Sequence, residues 1–241
     1  MRKHRTALRV LIIIMFCALA IISITVITTR IALKGYTVRG VDVSSYQGNI
    51  DWEIMEKNGV DFAFIKASEG SSYRDRTFEK NVKNIKKTDI AAGAYHFMSF
   101  ESTGDAQAKN FISAIKGKKF VLPPVIDLEL YGDYITKPPS VSEVREILDS
   151  LVSGIYEETG VYPIIYTNSL VYLRYVSGKY EDCDIWMCDL IKKPTLPGGR
   201  EWKFWQYSHT GKMSGYEGKE QYIDLNVFNG TREEFKSYIG E

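Results

Sequence analysis

A chain of 241 residues with 31 Lys and Arg against 30 Asp and Glu carries a net charge of +1. That balance argues against a nucleic-acid partner, which needs a basic face, and the lysine pairs at 86–87, 118–119 and 192–193 read as solvated surface. With 44% apolar and 25% charged residues the composition is that of a folded globular protein, not a disordered one.

The N-terminus departs from it. Residues 1–9 carry Arg2, Lys3, Arg5 and Arg9, and residues 10–29, VLIIIMFCALAIISITVITT, then run without a charge. That run matches the hydrocarbon thickness of a bilayer for a helix, and the basic flank stays on the cytoplasmic side. The expectation is a cytoplasmic flank (1–9), a transmembrane signal-anchor helix (10–29), a linker (30–37) and a domain (38–241) held outside the cell membrane. The rival is a cleaved signal peptide using Ala18-Leu19-Ala20, which would release a secreted product. The apolar run continues from Ile21 to Ile27, and this favours the anchor.

Strand and helix signals then alternate. Val38–Val43 is strand-like. Asp51–Asn58 is a short helix with Asp51 as N-cap and Gly59 as its stop. Asp61–Ala67 is a strand, and Arg76–Lys87 a helix with Phe78, Val82 and Ile85 at helical spacing. Ile90–Phe97 is a strand and Thr103–Ile115 a helix. Residues 125–130, VIDLEL, form the next strand, which begins after Pro123-Pro124, where a missing N–H costs the ladder nothing. Ser140–Thr159 is the longest helix, with Ser140 and Glu143 spaced as a capping box and Gly160 as its stop. Val161–Thr167 is a strand and Ser169–Val176 a short helix. The rhythm then changes: Ile185–Met187, Phe204–Ser208 and Tyr222–Val227 are strands with little helix between them, and Arg232–Ile239 closes the chain. The alternation predicts a mostly parallel sheet with right-handed crossovers, and about eight strands favour closure into a barrel.

The VIDLEL strand carries the clearest chemistry. Asp127 and Glu129 stand two residues apart, so a period of two puts both carboxylates on one face, roughly 6.5–7 Å apart. Two acids on an apolar strand are costly unless paired, hydrated or functional. Proximity and burial drive their pKa values apart, as glycosidic chemistry requires; the bland alternative is a cap and an ion pair. Other strands also end in polar or aromatic residues: Asp42, Lys66 with Glu69, Tyr95-His96, Tyr166, Trp186, Gln206 and Asp224. Each alone reads first as something plainer: Asp42 as a turn residue, Lys66 as a salt-bridge partner, His96 as a satisfied core histidine and Trp186 as core. In a barrel these ends converge on one rim, and their repetition favours a cleft. Cys17 lies in the apolar run. Cys183 and Cys188 are five apart on a strand, a poor geometry for a disulfide. No Cys/His cluster suggests a metal, and no cofactor is expected.

The segments GVDVSSYQG (40–48), DFAFIKASEG (61–70), GAYHF (93–97), PVIDLE (124–129), IIYTN (164–168), WQYS (205–208) and IDLN (223–226) occur in this order. The set resembles glycoside hydrolase family 25, the N-acetylmuramidases or bacterial- and phage-type lysozymes, over about residues 38–230. The resemblance implies an irregular, flattened β/α (TIM-like) barrel whose later strands lack helices. It also implies hydrolysis of the β-1,4 bond between N-acetylmuramic acid and N-acetylglucosamine in the glycan strands of peptidoglycan. On the matching positions Glu129 is the general acid, and Asp127 is the nucleophile or the carboxylate that assists the substrate's acetamido group. Asp42 and Asp224 are further acids of the cleft, with Lys66, Glu69, Tyr95, His96, Tyr166, Trp186 and Gln206 as substrate contacts. Met187 and Cys188 depart from the family's expected aliphatic residue and alanine. The rival function is a catalytically inactive peptidoglycan-binding scaffold, and a glycosidase acting on chitin-like polymers is a third.

Overall fold

The computed structural model describes residues 33–241, together with Ile12, Ile14, Met15, Phe16 and Ile31. The expected anchor (10–29) therefore lies almost wholly outside the described residues. Among those described, no helix is long and apolar enough to cross a membrane.

Eight strands close a barrel: β1 (Arg39–Val43), β2 (Phe62–Glu69), β3 (Ala91–Phe97), β4 (Val125–Asp127), β5 (Ile164–Asn168), β6 (Ile185–Cys188), β7 (Phe204–Gly211) and β8 (Ile223–Phe228). From β1 to β7 every neighbour is parallel. The last strand, β8, runs antiparallel to both β7 and β1 and completes the ring. Helices α1 (Trp52–Lys57), α2 (Phe78–Ile85), α3 (Gly104–Ile115) and α4 (Val141–Thr159) make the first four crossovers. Between β5 and β6 a single α-turn, Ser169–Val171, runs into a π-helix, Tyr172–Val176. Beyond it, the one helical element among the described residues before the C-terminal helix Arg232–Tyr238 is a three-residue 3-10 turn, Pro197–Gly199. The change of rhythm read from the sequence is thus a real loss of helical crossovers.

Local chemistry sets the boundaries. Asp51 accepts the Ile54 N–H at 3.1 Å to start α1. Ser140 and Glu143 cap α4 reciprocally, at 3.2 and 2.9 Å, and Gly160 (φ 72°) ends it in the left-handed conformation.

Alternation along the strands sorts side chains into two apolar layers. On β2, Ala63, Ile65 and Ala67 face the helices, whereas Phe62 and Phe64 fill the barrel. Phe62 packs edge-on to Phe204 at 5.1 Å, Phe64 stacks on Trp186 at 4.5 Å, and Phe204 meets Phe228 at 5.5 Å. Glycine makes this filling possible. A Cβ on Gly40 would lie 2.3 Å from the Phe62 ring, and one on Gly93 2.7 Å from Phe64. The C-terminal helix seals the base, with Phe235 against Phe228 at 5.1 Å and Arg232 paired to Asp61 at 2.6 Å.

One element is shorter than expected. The predicted strand 125–130 leaves the ladder at Asp127, because β3 ends at the paired residue Phe97. Two single bonds, Met98 N–H to the Asp127 carbonyl and Leu128 N–H to the Tyr166 carbonyl (both 2.9 Å), carry the chain on to Glu129.

Candidate active site

At the C-terminal ends of the parallel strands the barrel opens into a cleft of about 580 Å³. Every strand of the ring contributes to its wall. Nine of the eleven residues singled out from the sequence line it: Asp42, Lys66, Tyr95, Asp127, Glu129, Tyr166, Trp186, Gln206 and Asp224. Asp224 arrives by an unexpected route. It is the second residue of β8, and the reversed direction of that strand places its start, not its end, at the rim opposite Asp42.

Glu69 and His96 are not brought to the cleft wall. Glu69 pairs with Lys66 at 2.7 Å and so steadies an amine that also lies 4.8 Å from the Phe97 ring centre. His96 is fully buried behind the floor, with Nδ1 2.9 Å from Ser68 Oγ and Nε2 3.1 Å from Gln107 Oε1. Burial pushes its pKa down to about 4, so it is a neutral packing residue.

The four acids share one low-dielectric basin. Asp42 and Asp127 are each only 8% exposed. Burial is the main cause of a raised pKa at all four; repulsion between them adds to it at Asp127, Glu129 and Asp224, whereas at Asp42 the hydrogen bonds from Asn226, Gln206 and Asp224 pull the other way. For Asp127 the next cause is the charge of Glu129; for Glu129 it is the charge of Asp42, with Tyr166 pulling Glu129 back and Lys66 pulling both back. Asp224 is pushed up to about 9, by burial first and then by Asp42, to which it hydrogen-bonds. Asp224 therefore keeps its proton and gives the bond to Asp42. Asp42 Oδ2 also accepts from Asn226 Nδ2 at 2.7 Å and Gln206 Nε2 at 3.0 Å, a set of donors that favours its carboxylate. Asp127 differs: its Oδ1 is buried with no hydrogen-bond partner. The floor thus holds one fully hydrogen-bonded acid and one orphaned acceptor.

Aromatic residues frame the acids. Trp186 is wedged between Phe64 and Tyr166 (4.5 Å to each) and donates its indole N–H to Asn226 at 2.8 Å. The Tyr166 hydroxyl donates to Gln206 Oε1 at 3.0 Å. Tyr46, 69% exposed, stands at the mouth. Cys188 lines the wall beside Tyr166, and burial pushes its thiol up to about 12. Cys183 packs in the helix-side core, and both thiols are free.

Sequence reasoning missed Asn226, which is fully buried and touches both Asp42 and Trp186. Its signal was present, since Asp224 and Asn226 in IDLN repeat the two-residue spacing of Asp127 and Glu129. It also missed Gln47, whose side chain closes a capping box with Ser44 and bonds the Tyr222 carbonyl at 3.3 Å, shaping the wall beneath Tyr46. Among the described residues no group of three or more His, Cys, Asp or Glu side chains is disposed to hold a metal ion.

Residues 41–216 match the family described as Glycosyl hydrolases family 25. A solved structure of a family 25 glycosyl hydrolase from Bacillus anthracis is 47% identical, with a TM-score of 0.79 over 84% of this chain and 94% of that one. The bacterial lysozyme from Streptomyces coelicolor is 31% identical, with a TM-score of 0.74 over 84% and 96%. Lysozyme M1 of Streptomyces globisporus is 33% identical over 210 residues, which span 80% of this chain and 68% of that protein.

Proposed function

We infer the reaction from one premise: this chain belongs to glycoside hydrolase family 25 and is a glycosidase. We propose that it is a lysozyme, an N-acetylmuramidase cutting the β-1,4 bond between N-acetylmuramic acid and N-acetylglucosamine in peptidoglycan. Relatives named as lysozymes support this substrate. The observation that carries the reading is the pairing of Glu129 with Asp127 on the floor of a cleft walled by aromatic side chains.

In this scheme Glu129 gives its proton to the glycosidic oxygen as the bond to the anomeric carbon breaks. Asp127 beside it in the cleft either attacks the anomeric carbon or steadies the substrate's own 2-acetamido group as that group attacks. In the assisted route the Asp127 carboxylate holds the N–H of the substrate's 2-acetamido group, whose carbonyl oxygen closes on the anomeric carbon. Gaining that donor favours ionised Asp127 and leaves the proton shared by the pair on Glu129. Water adds to the anomeric carbon, Glu129 takes back a proton, and muramic acid becomes the new reducing end. Tyr95, Tyr166, Trp186 and Gln206 supply sugar contacts.

The uncharged run 10–29 behind its basic flank supports a single-pass anchor with the barrel on the outer side. Fractionation tests this part: a soluble product beginning near Ile21 overturns it. The chemistry is tested by incubating the protein with purified peptidoglycan and identifying the new reducing-end sugar by mass spectrometry. Muramic acid is expected, and Glu129→Gln is expected to lower the rate by about 10²–10⁴-fold while glycan binding persists. N-acetylglucosamine ends, or cleavage confined to chitin oligomers, overturn the assignment.

A further inference from the structure

Strand β2 breaks its own alternation beside the cleft. Phe62 and Phe64 fill the barrel and Lys66 lines the cleft, while Ala63, Ile65 and Ala67 face the helices. A regular strand would turn Ser68 inward and Glu69 outward. The ladder to β3 instead sets Lys66 opposite Tyr95, Ser68 opposite His96 and Glu69 opposite Phe97, and skips Ala67. Ser68 therefore joins Ala67 on the helix side. Glu69 returns to the face of Lys66 and meets its amine at 2.7 Å. Residues three apart on a regular strand leave opposite faces, so this ion pair depends on the bulge. Lys66 is also the one Lys or Arg among the described residues that line the cleft.

Behind the bulge lies a buried set of hydrogen bonds whose direction is fixed. The Gln107 amide nitrogen donates to the carbonyls of Ser99 and Ser102 at 2.8 and 2.9 Å. Its Oε1 faces the other way and accepts from the Ser99 N–H at 2.8 Å. His96 Nε2, 3.1 Å from that oxygen, must then carry a proton. A neutral imidazole has one N–H, so Nδ1 is an acceptor, and the Ser68 hydroxyl 2.9 Å away donates to it. Ser68, His96 and Gln107 are all fully buried, where a missing bond costs most. One turn further along α3, the Asn110 amide donates to the Gly70 carbonyl at 2.8 Å and ties the far side of the bulge to the same helix. The short strand Tyr73–Arg74 pairs with the other edge of Ser68 and Glu69. It fixes the backbone, and the serine–histidine bond fixes the face that Ser68 takes.

We propose that Ser68, His96 and Gln107 are positioning residues for the reaction: they hold the bulge, the bulge holds Glu69 against Lys66, and Lys66 is thereby kept at the cleft wall. Neutrality gives His96 a task beyond packing, since only an imidazole with a free Nδ1 lone pair can take the serine proton. Glu69 occupies one of the three N–H donors of Lys66, which leaves the others for substrate oxygens. The proposal rests on the reading of this cleft as the glycosidase site.

Trace acetylation of the folded protein, read at Lys66 by mass spectrometry, follows the amine without turnover. The paired amine, on a side chain 13% exposed, is expected to react slowly. Ser68→Ala removes the serine proton and Glu69→Gln the ion-pair partner. Both are expected to speed acetylation about tenfold, and Ser68→Thr to restore the wild-type rate. An unchanged rate in Ser68→Ala overturns the proposal. On peptidoglycan, Ser68→Ala is expected to lower kcat/KM by up to about 10²-fold and to add nothing further in a Lys66→Met background. No loss, or a loss that adds in full to that of Lys66→Met, also overturns it, because the serine would then not act through the lysine. Ser68→Cys, close in volume and only a weak donor, replaces the alanine variant if that one fails to fold. Absence of hydrolysis by every variant and by the wild type would sink the reaction, while the acetylation rates still decided the placement of Lys66.

Discussion

The two ends of the barrel are built from the same strands two residues apart, and they obey opposite rules. Inward positions at the base are Gly40, Phe64, Gly93, Val125, Ile164, Phe204 and Phe228. One inward step toward the rim they become Asp42, Lys66, Tyr95, Asp127, Tyr166, Gln206 and Asn226. The base is satisfied by contact between rings, the rim by donors and acceptors that each need a specific partner. A change of side-chain chemistry over one strand repeat, about 6.5–7 Å, thus separates the part that holds the fold from the part that does the work. The aromatic base can carry that load because its energy comes from buried area, and this leaves the rim free to hold acids at unfavourable pKa values.

The largest effect that separates the two ends is at the base. Phe62→Ala removes a fully buried ring from between Phe64, Phe204 and Phe235. It is expected to cost about 3–5 kcal/mol in denaturant unfolding without moving either limb of the pH–rate profile. A displaced limb would mean that base and rim are mechanically coupled. Gly40→Ala probes the same layer by overfilling it, since the new methyl would meet the Phe62 ring at 2.3 Å. A loss of about 1–3 kcal/mol is expected, and an unchanged unfolding midpoint would show that the ring can step aside.

At the rim the signature is pH dependence. The folded state keeps the Asp224 proton up to about pH 9, whereas the unfolded chain releases it near pH 4. This contribution to stability is present in full below the unfolded value and is lost as pH rises toward 9. The melting temperature of Asp224→Asn should therefore fall less than the wild type's between those limits; parallel curves would place the proton elsewhere. The smallest effect belongs to neither end: Ser140→Ala, breaking the cap of α4, is expected to cost about 1 kcal/mol at neutral pH and to leave the rate profile alone.

Much of this contrast was legible in the sequence, and the failures have physical causes. The period of two located the acids, and the loss of helical spacing after residue 176 announced the bare strands. The same period also separates Tyr95 from His96, which leave opposite faces: Tyr95 reaches the cleft, while His96 faces Gln107 of α3. Treating both as substrate contacts ignored that rule. Glu69 escaped because the ladder slips between Lys66 and Ser68, and no local pattern signals such a bulge. Strand direction is equally silent in a sequence: IDLN reads alike whether its acid begins or finishes the strand, so only the pairing of β8 with β1 places Asp224 correctly. The early end of β4 was hidden because Leu128 remains as buried as the ladder residues before it.

The reversed final strand has a consequence for biosynthesis. Asp42 leaves the ribosome early, but its partner Asp224 and the Asn226 that orients it follow some 180 residues later, on the segment that completes the ring. A nascent or truncated polypeptide therefore has every acid except the one that arrives with closure. Docking of the last hairpin is thus the step that both shuts the ring and completes the acid cluster.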